Sequence, residues 1–186
     1  MELTGNIQKS LIEACIRGDE RQKYKLYQLY AKAMFNVCYR MMNNREEAED
    51  MLQEAFTLAF QKLGTFRFES SFGAWLKRIV INTCINAKNK RKVDLQLMDE
   101  MKQVESAEEE DTSGEHIQFT VNGITKAMEK LPEGGRMIFS LYLFEGYDHA
   151  EISQILNISE STSKSQFMRA KRRVIEILNE QKINTI

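Results

Sequence analysis

The stretch that decides the fold spans residues 148–174 and reads DHAEISQILNISESTSKSQFMRAKRRV. Asp148 and Glu151 have the spacing of a capping box at the start of a short helix. Asn157 suits a left-handed turn residue, and Ser159 suits the N-cap of a second, longer helix. Two helices joined by so tight a turn predict a helix-turn-helix, the motif that places its second helix in the major groove of DNA.

The second helix of this motif has the residue types that bind duplex DNA. It begins with small polar side chains, which let the backbone approach the groove, and continues with cations that can meet phosphates. The alternative is a helical hairpin with a solvated basic face, which does not explain why cap, turn residue and acid-free face coincide. The stripe expected to face the core is Phe167, Ala170, Val174 and Leu178. The candidate DNA-binding residues are Ser161, Thr162, Lys164, Ser165, Gln166, Arg169, Lys171, Arg172 and Arg173.

Apolar residues recur with a helical period along almost the whole chain, so the predicted fold class is all-α. Asn44 and Ser71 are predicted N-caps, and Gly64 is the predicted stop of the helix between them. The stretch 93–97 alternates, but nothing else in the chain offers a partner strand, so it is interpreted as linker. The predicted helices are 7–17, 21–42, 45–63, 72–88, 116–130, 135–145, 149–156 and 160–179.

Charge is distributed unevenly, although the net charge of the 186-residue chain is only −1. Two acid-free basic blocks, 77–92 and 164–173, flank a strongly acidic stretch, 99–115. This pattern favours two polyanion-binding surfaces joined by a linker. We therefore predict two small helical domains, 1–92 and 116–186, and an acidic flexible linker, 93–115.

Composition argues against several classes of protein. No apolar run approaches the roughly 18–20 residues of a membrane span, and the polar N-terminus lacks the core of a secretory signal. We therefore expect a cytoplasmic protein with no membrane contact of its own. No nucleophile–base pair, phosphate-binding glycine loop or metal-ligand cluster is evident, so neither an enzyme nor a cofactor is expected. The widely spaced Cys15, Cys38 and Cys84 are expected to be buried, reduced thiols.

The segment 66–92, FRFESSFGAWLKRIVINTCINAKNKRK, combines clustered aromatic residues with a basic, asparagine-rich helix. Single-stranded nucleic acid is held by this combination, because aromatic rings stack on bases and cations follow the backbone. Phe72 and Trp75 fall on the apolar stripe and are interpreted as core, whereas for Phe66 and Phe68 core packing and base contact stay open. The candidate single-strand-binding residues are Phe66, Arg67, Phe68, Ser70, Arg78, Asn82, Asn86 and Lys88.

Taken together, these motifs resemble the extracytoplasmic-function (ECF) sigma factors, the minimal sigma-70-type family that keeps only the second and fourth sigma regions. REEAEDMLQEAFTLAFQKL at 45–63, followed by F-x5-F-x2-WL-x-RI-x2-N at 66–82, is similar to the second region. LPEGGRMIFSLYLFEGYDHAEISQILNISESTSKSQFMRAKRRVIEIL at 131–178 is similar to the fourth. Both motifs stand in the family's order, with an acidic stretch between them.

The resemblance implies a sigma factor that binds core RNA polymerase and directs promoter-specific transcription initiation. It implies that Asp50, Gln53 and Glu54 dock on the polymerase clamp helices. It implies further that the loop 66–70 forms a pocket for a flipped −10 base and that Asn82 contacts the same element. The −35 element would meet the helix-turn-helix. Family members are often held by an anti-sigma factor, which makes such a protein a candidate partner.

Three residues of the recognition helix depart from the family pattern. Ser163 stands where an aliphatic residue is frequent, Ser161 replaces a frequent glycine, and Gln166 replaces a frequent arginine. These departures leave the preferred −35 sequence and the register of its contacts open. The alternative function is a stand-alone helix-turn-helix regulator, which would bind DNA specifically without polymerase and at operators with two-fold symmetry.

Overall fold

A computed structural model describes the backbone of residues 2–96 and 121–183, and every regular element within those ranges is a helix. The predicted all-α class is therefore confirmed. The chain divides into two compact units, Met1–Arg91 and Lys92–Ile186, which are described separately. The helices are α1 (Glu2–Ile16), α2 (Glu20–Met42), α3 (Arg45–Lys62), α4 (Phe72–Gln96), α5 (Val121–Met128), α6 (Glu133–Leu143), α7 (His149–Leu156) and α8 (Glu160–Ile183), with a 3-10 turn at Leu63–Thr65.

The hairpin of α2 and α3 organises the first unit. Helix α2 ends at Asn43, which adopts the left-handed conformation with φ of 56°. The next residue, Asn44, is extended and accepts a hydrogen bond from the Glu47 backbone N–H at 3.0 Å, as predicted for an N-cap. Because only these two residues join the helices, α2 packs back along α3.

The core of the first unit is apolar and includes all three cysteines. Cys15, Cys38 and Cys84 are buried free thiols, as predicted. A side-chain hydrogen bond with Cys38, together with burial, raises the pKa of the Cys84 thiol, which therefore stays protonated and unreactive. The largest fully buried side chains around them are Ile12, Leu26, Met41, Leu63, Leu76, Val80 and Ile81.

Two predicted boundaries in the first unit are wrong. Gly64 does not stop α3 with a left-handed residue; the α-helix ends at Lys62, and Gly64 lies within the 3-10 turn. Helix α4 does not end near Lys88 but continues to Gln96, so residues 93–96 are helical rather than linker. No glycine or proline interrupts the chain from residue 74 to 96, and each further residue of an existing helix adds one hydrogen bond at little cost. The acidic stretch 97–115 and the predicted helix start at 116–120 lie outside the described residues.

In the second unit, α5 and α6 pack against α8 around one apolar cluster. Helix α6 begins at Glu133, two residues before the predicted start, because Pro132 supplies a fixed φ of −55° at the N-cap and Glu133 complements the helix dipole. Arg136 is buried and donates from Nη1 to the Leu131 carbonyl at 2.9 Å, which joins the start of α6 to the preceding turn. The cluster consists of Ala127, Met128, Leu131, Phe139, Ala170, Val174, Ile177 and Leu178.

Candidate nucleic-acid interface

The loop between α3 and α4 presents one aromatic ring and buries another. Phe68 has a φ of 60°, a conformation that a bulky side chain rarely adopts. Its ring is 40% exposed, whereas Phe66 is only 6% exposed. The two rings are in contact, with centroids 4.8 Å apart. Strained residues persist only where the surrounding structure holds them, and they cluster at functional sites, so Phe68 is a candidate site residue.

Phe66 supports the loop from inside. Its ring centroid lies 5.7 Å from that of Phe72 and 5.3 Å from that of Trp75. Phe72 in turn contacts Tyr30 of α2 edge-on at 5.2 Å. Core packing is therefore the arrangement found for Phe66 and Phe72, as well as for the half-buried Trp75. Of the two loop rings, Phe66 is buried and Phe68 is exposed to solvent.

A cavity of about 290 Å³ opens beside Phe68. One side is formed by Lys9 and Ile12 of α1, which the sequence did not indicate as part of a site. Lys9 Nζ lies 5.6 Å from the centroid of the Phe68 ring, within the range of a cation–π contact. The remaining lining residues are Phe66, Phe68, Ser70, Ser71 and Phe72.

The predicted basic and amide residues of α4 fall into two groups. Arg78, Asn82 and Asn86 are exposed and four residues apart, so they form one solvent-facing row. Lys88 is instead 8% exposed, and its Nζ lies 3.8 Å from Glu47 Oε2 at the start of α3. Lys88 is thus built into the helix packing. The loop residues Arg67 and Ser70 are exposed.

Asp50, Gln53 and Glu54 are all exposed on α3. They occupy the face opposite the buried stripe, because residues three and four apart share one side of a helix. The fold brings this predicted triplet together on one polar surface. The buried stripe that fixes the orientation of α3 is Ala48, Leu52, Ala55, Phe56 and Ala59.

The predicted helix-turn-helix is confirmed in its local geometry. Asp148 accepts from the Glu151 N–H at 2.7 Å, and Glu151 accepts from the Asp148 N–H at 2.9 Å, which completes the capping box. Asn157 is left-handed with a φ of 53°. Ser159 Oγ accepts from the Thr162 N–H at 3.0 Å and caps α8. Ile152 of α7 is fully buried, whereas Ala150 is exposed.

A part-buried polar contact joins the two helices of the motif. Ser163 has no exposed surface, and its Oγ lies 2.9 Å from Nδ1 of His149. The His149 ring stacks on Tyr142 of α6 at 4.7 Å and meets Phe167 of α8 at 5.5 Å. The contact shows why the serine fits where an aliphatic residue is frequent in the family: its hydroxyl has a partner in this core. Sequence analysis noted Ser163 as a departure but did not identify His149 as that partner.

The predicted DNA-binding residues of α8 spread over three sides of its exposed surface. Ser161 and Arg172 are opposite the buried stripe with the half-buried Ser165, while Lys164 and Lys171 flank them on one side and Arg169 on the other. Gln166 and Arg173 are turned further round, and together with Arg169 they line a groove with Leu131, Pro132 and Gly135. Thr162 is half-buried, with its hydroxyl 2.7 Å from Ser159 Oγ.

Lys164 and Arg173 are already held by carboxylates. Lys164 pairs with Glu160 at 2.7 Å. Arg173 donates from Nη1 to Glu176 at 2.9 Å, and this hydrogen bond raises the pKa of its guanidinium. A cation engaged in this way must exchange one anion for another when it meets a phosphate. Exposed pairs of this kind are weak, so the exchange remains feasible.

Met168 is a surface residue that sequence reasoning missed. It is 46% exposed and falls between Ser161 and Arg172 on the outward side of α8. An apolar side chain at that place can contact the methyl group of thymine. The helical period places Met168 opposite the stripe that contains Ala170 and Val174, and this position could have predicted its exposure. A single methionine, however, is usually interpreted as a core residue.

The described residues contain neither a metal-ligand group nor a helix that could span a membrane. No cluster of three or more His, Cys, Asp or Glu side chains is suited to hold a metal ion there. No helix in that part of the chain has the length and apolar character needed to cross a bilayer.

Comparisons with known proteins match one region in each unit of the chain. A family model described as Sigma-70 region 2 matches residues 26–93, and one described as Sigma-70, region 4 matches residues 122–174. The RNA polymerase sigma-H factor of Pseudomonas aeruginosa is 31% identical over 95% of this chain and 96% of its own. The ECF RNA polymerase sigma factor SigW of Bacillus subtilis is 29% identical over 88% of this chain and 92% of its own.

Solved structures show the same fold at lower identity. The sigma factor RpoE of Bartonella quintana, solved in complex with the anti-sigma factor NepR, superimposes with a TM-score of 0.54 at 22% identity, over 84% of this chain and 96% of that one. CnrH in complex with the cytosolic domain of CnrY gives a TM-score of 0.51 at 19% identity, over 91% of this chain and 96% of that one. Sigma factors are transcription initiation factors and not enzymes. Both sigma-70 regions are matched, and the chain covers nearly the whole length of these relatives. The chain therefore belongs to the sigma-70 family of RNA polymerase sigma factors, in its extracytoplasmic-function group.

Proposed function

We propose that this sigma factor docks on core polymerase through α3, binds the duplex −35 element through α8 and captures one unpaired base of the −10 element beside Phe68. The strongest support for these separate roles is that each unit has its own surface suited to binding nucleic acid. One has an exposed aromatic ring at a cavity, and the other has a capped helix-turn-helix. The proposed domain roles are polymerase and −10 binding for 1–92 and −35 binding for 116–186. The residues between them form the connection, and the first of these, 93–96, continue α4.

The −35 contact combines position with specificity. The cations on α8 meet phosphates and fix the helix in the groove, while Ser161, Ser165 and Met168 face the base edges. Arg169 and Arg172 supply charge beside them. The hydrogen bond between Ser163 and His149 holds α8 against α7, so the outward residues keep a fixed orientation. Pre-organisation of this kind lowers the entropic cost of binding.

The −10 contact uses binding energy to favour strand separation. Flipping one base out of the duplex costs a few kcal/mol. Stacking of the flipped base on an aromatic ring returns about 1–3 kcal/mol, and Arg78, Asn82 and Asn86 lie on the α4 row where the displaced strand would pass. Because Phe66 and Lys88 are buried, they support the shape of this site and leave the direct contacts to Phe68, Arg67 and Ser70.

Polymerase makes the two weak contacts act together. The polar face with Asp50, Gln53 and Glu54 suits the clamp helices, which are the docking partner implied by the family. Once both units are held on one polymerase, the second DNA contact becomes intramolecular and gains effective concentration. We infer that the protein works in the cytoplasm, where polymerase and chromosome are found. The complexes of its structural neighbours favour an anti-sigma factor as a further partner.

Polymerase binding is the experiment that separates this proposal from a stand-alone regulator. Purified core polymerase is mixed with the full chain, and complex formation is measured by size-exclusion chromatography. The triple variant Asp50→Ala, Gln53→Ala, Glu54→Ala should lose the complex. The matched control, Lys25→Ala with Gln28→Ala on the exposed surface of α2, should retain it. If wild type does not bind core polymerase but shifts duplex DNA alone, the stand-alone regulator is correct.

A further inference from the structure

We propose that α1 forms one wall of the base pocket, and that Lys9 positions the Phe68 ring there and binds the phosphate next to the captured base. The inference rests on the proposed function, because it assigns a new element and a new residue to the same single-strand site. It concerns only α1, which neither the sequence motifs nor the −10 residues named above include.

Phe68 needs a partner outside its own loop. Its φ of 60° is unfavourable for a bulky residue, and a ring that is 40% exposed gains little from burial. Two described contacts hold it: Phe66 at a centroid distance of 4.8 Å and Lys9 Nζ at 5.6 Å from the ring centroid. Phe66 comes from the same loop, whereas Lys9 connects the ring to α1, a separate helix of the unit.

The fold fixes the place of Lys9. Ile12 lies three residues further along α1, on the same face, and is only 1% exposed. Ile12 also lines the cavity, so the buried anchor of α1 and its exposed cation face the same space. A shift of α1 would therefore expose Ile12, and this apolar burial holds the cation at the cavity.

Lys9 also supplies the charge that the cavity otherwise lacks. It is the one ionised side chain among the residues that line this cavity in the described part of the chain. Ser71 Oγ already accepts from the Ala74 N–H at 3.2 Å, so it serves the helix cap. A base that enters the cavity brings its own phosphate to the entrance, and an ammonium group on a flexible stem can pair with that phosphate.

Trp75 offers a direct readout of occupancy. It is the only tryptophan of the chain, and its ring lies 5.3 Å from Phe66 and 5.5 Å from Phe72, which both line the cavity. A base that enters beside these rings should change the fluorescence of Trp75. The signal reports on the pocket itself and is independent of transcription.

The test is a titration of the full chain with a randomised single-stranded DNA octamer, followed by Trp75 fluorescence at several salt concentrations. Lys9→Met keeps the aliphatic stem and removes the charge; we expect about five-fold weaker binding and a salt slope lower by about 0.7, the value for one phosphate contact on a single strand. Lys9→Arg should restore both quantities. Lys25→Met removes one exposed lysine of α2 outside the pocket and should change neither.

The outcomes separate this inference from the function on which it rests. If wild type binds the octamer and Lys9→Met binds equally well with the same salt slope, the role of Lys9 is wrong and the −10 site stands without it. If Lys9→Arg is as weak as Lys9→Met, a charge contact is not the cause and the inference also fails. If wild type neither binds nor changes its fluorescence, the single-strand site itself is wrong. Equal melting temperatures of the three variants ensure that differences report on binding.

Discussion

His149 Nδ1 lies 2.9 Å from Ser163 Oγ, and this contact joins the first helix of the helix-turn-helix to the second. Ser163 is fully buried, and the half-buried ring of His149, the first residue of α7, stacks on Tyr142. The orientation of the residues that we propose to face DNA on α8 depends on how α8 sits on α7. We therefore expect this hydrogen bond to affect the proposed −35 contact.

Removing both partners of this contact should cost less than the sum of the two single removals. Ser163→Val leaves the His149 nitrogen without its partner, so we expect a loss of about 1–2 kcal/mol in the free energy of unfolding. Combined with His149→Leu, the same change should be less destabilising than the sum of the single variants. A double-mutant cycle by thermal unfolding measures the coupling, expected near 1 kcal/mol. Strict additivity would mean that the two residues do not interact.

Phe68 should contribute to single-strand binding but little to stability. Phe68→Asn places a residue that tolerates positive φ at this position, and the relief of strain offsets the lost contact with Phe66. We expect a melting temperature within a few degrees of wild type and at least about five-fold weaker binding of single-stranded DNA, from the loss of one stacking contact. Phe68→Tyr keeps the ring and should bind normally. A large loss of stability without loss of binding would contradict the assignment.

Lys88 should behave as a structural residue although it belongs to a basic segment. Its Nζ is 3.8 Å from Glu47 Oε2, and its side chain is 9% exposed. Lys88→Met leaves a carboxylate partly buried without this cation, so we expect destabilisation of about 3 kcal/mol, measured by denaturant unfolding. Lys90→Met, at an exposed position of the same helix, serves as the control and should change stability by less than about 0.5 kcal/mol. Equal effects would show that Lys88 is not part of the packing.

Arg169 and Arg173 should contribute unequally to DNA binding. Arg173 is held by Glu176 at 2.9 Å and by Glu180 at 3.8 Å, so it must exchange these anions for a phosphate. Arg169→Ala should lower the salt slope of duplex binding by about 1, and Arg173→Ala should lower it by less. Binding of holoenzyme to a −35 duplex across a salt series measures both. A larger effect of Arg173 would show that its carboxylate partners do not weaken its contact with phosphate.

Sequence patterns predicted the helix-turn-helix well because its signals are local. A capping box, a left-handed asparagine and a serine cap each act within three or four residues, so Asp148, Asn157 and Ser159 could be assigned without tertiary information. The predicted end of α3 was wrong because it rested on a single local signal. A glycine such as Gly64 permits a left-handed stop but does not impose one, and the chain instead tightens into a 3-10 turn.

Non-local contacts could not be predicted. Lys9 and Phe68 are far apart in the chain, and a lysine in a first helix has no feature that marks it as a pocket wall. The burial of Lys88 depends on Glu47, whose sequence signal indicates only the first turn of α3. The continuation of α4 through residues 93–96 was missed because a short alternating pattern fits an extended segment and a helix equally well.

Run-off transcription tests the central claim most directly. Core polymerase is supplied with promoter fragments from the protein's own genome, with and without the full chain. The account predicts discrete start sites that need the protein and that vanish when Asp50, Gln53 and Glu54 are replaced together by alanine, while the Lys25→Ala, Gln28→Ala control retains them. Start sites that are unchanged by the triple replacement, or absent with wild type under conditions where the protein alone binds duplex DNA, would contradict it.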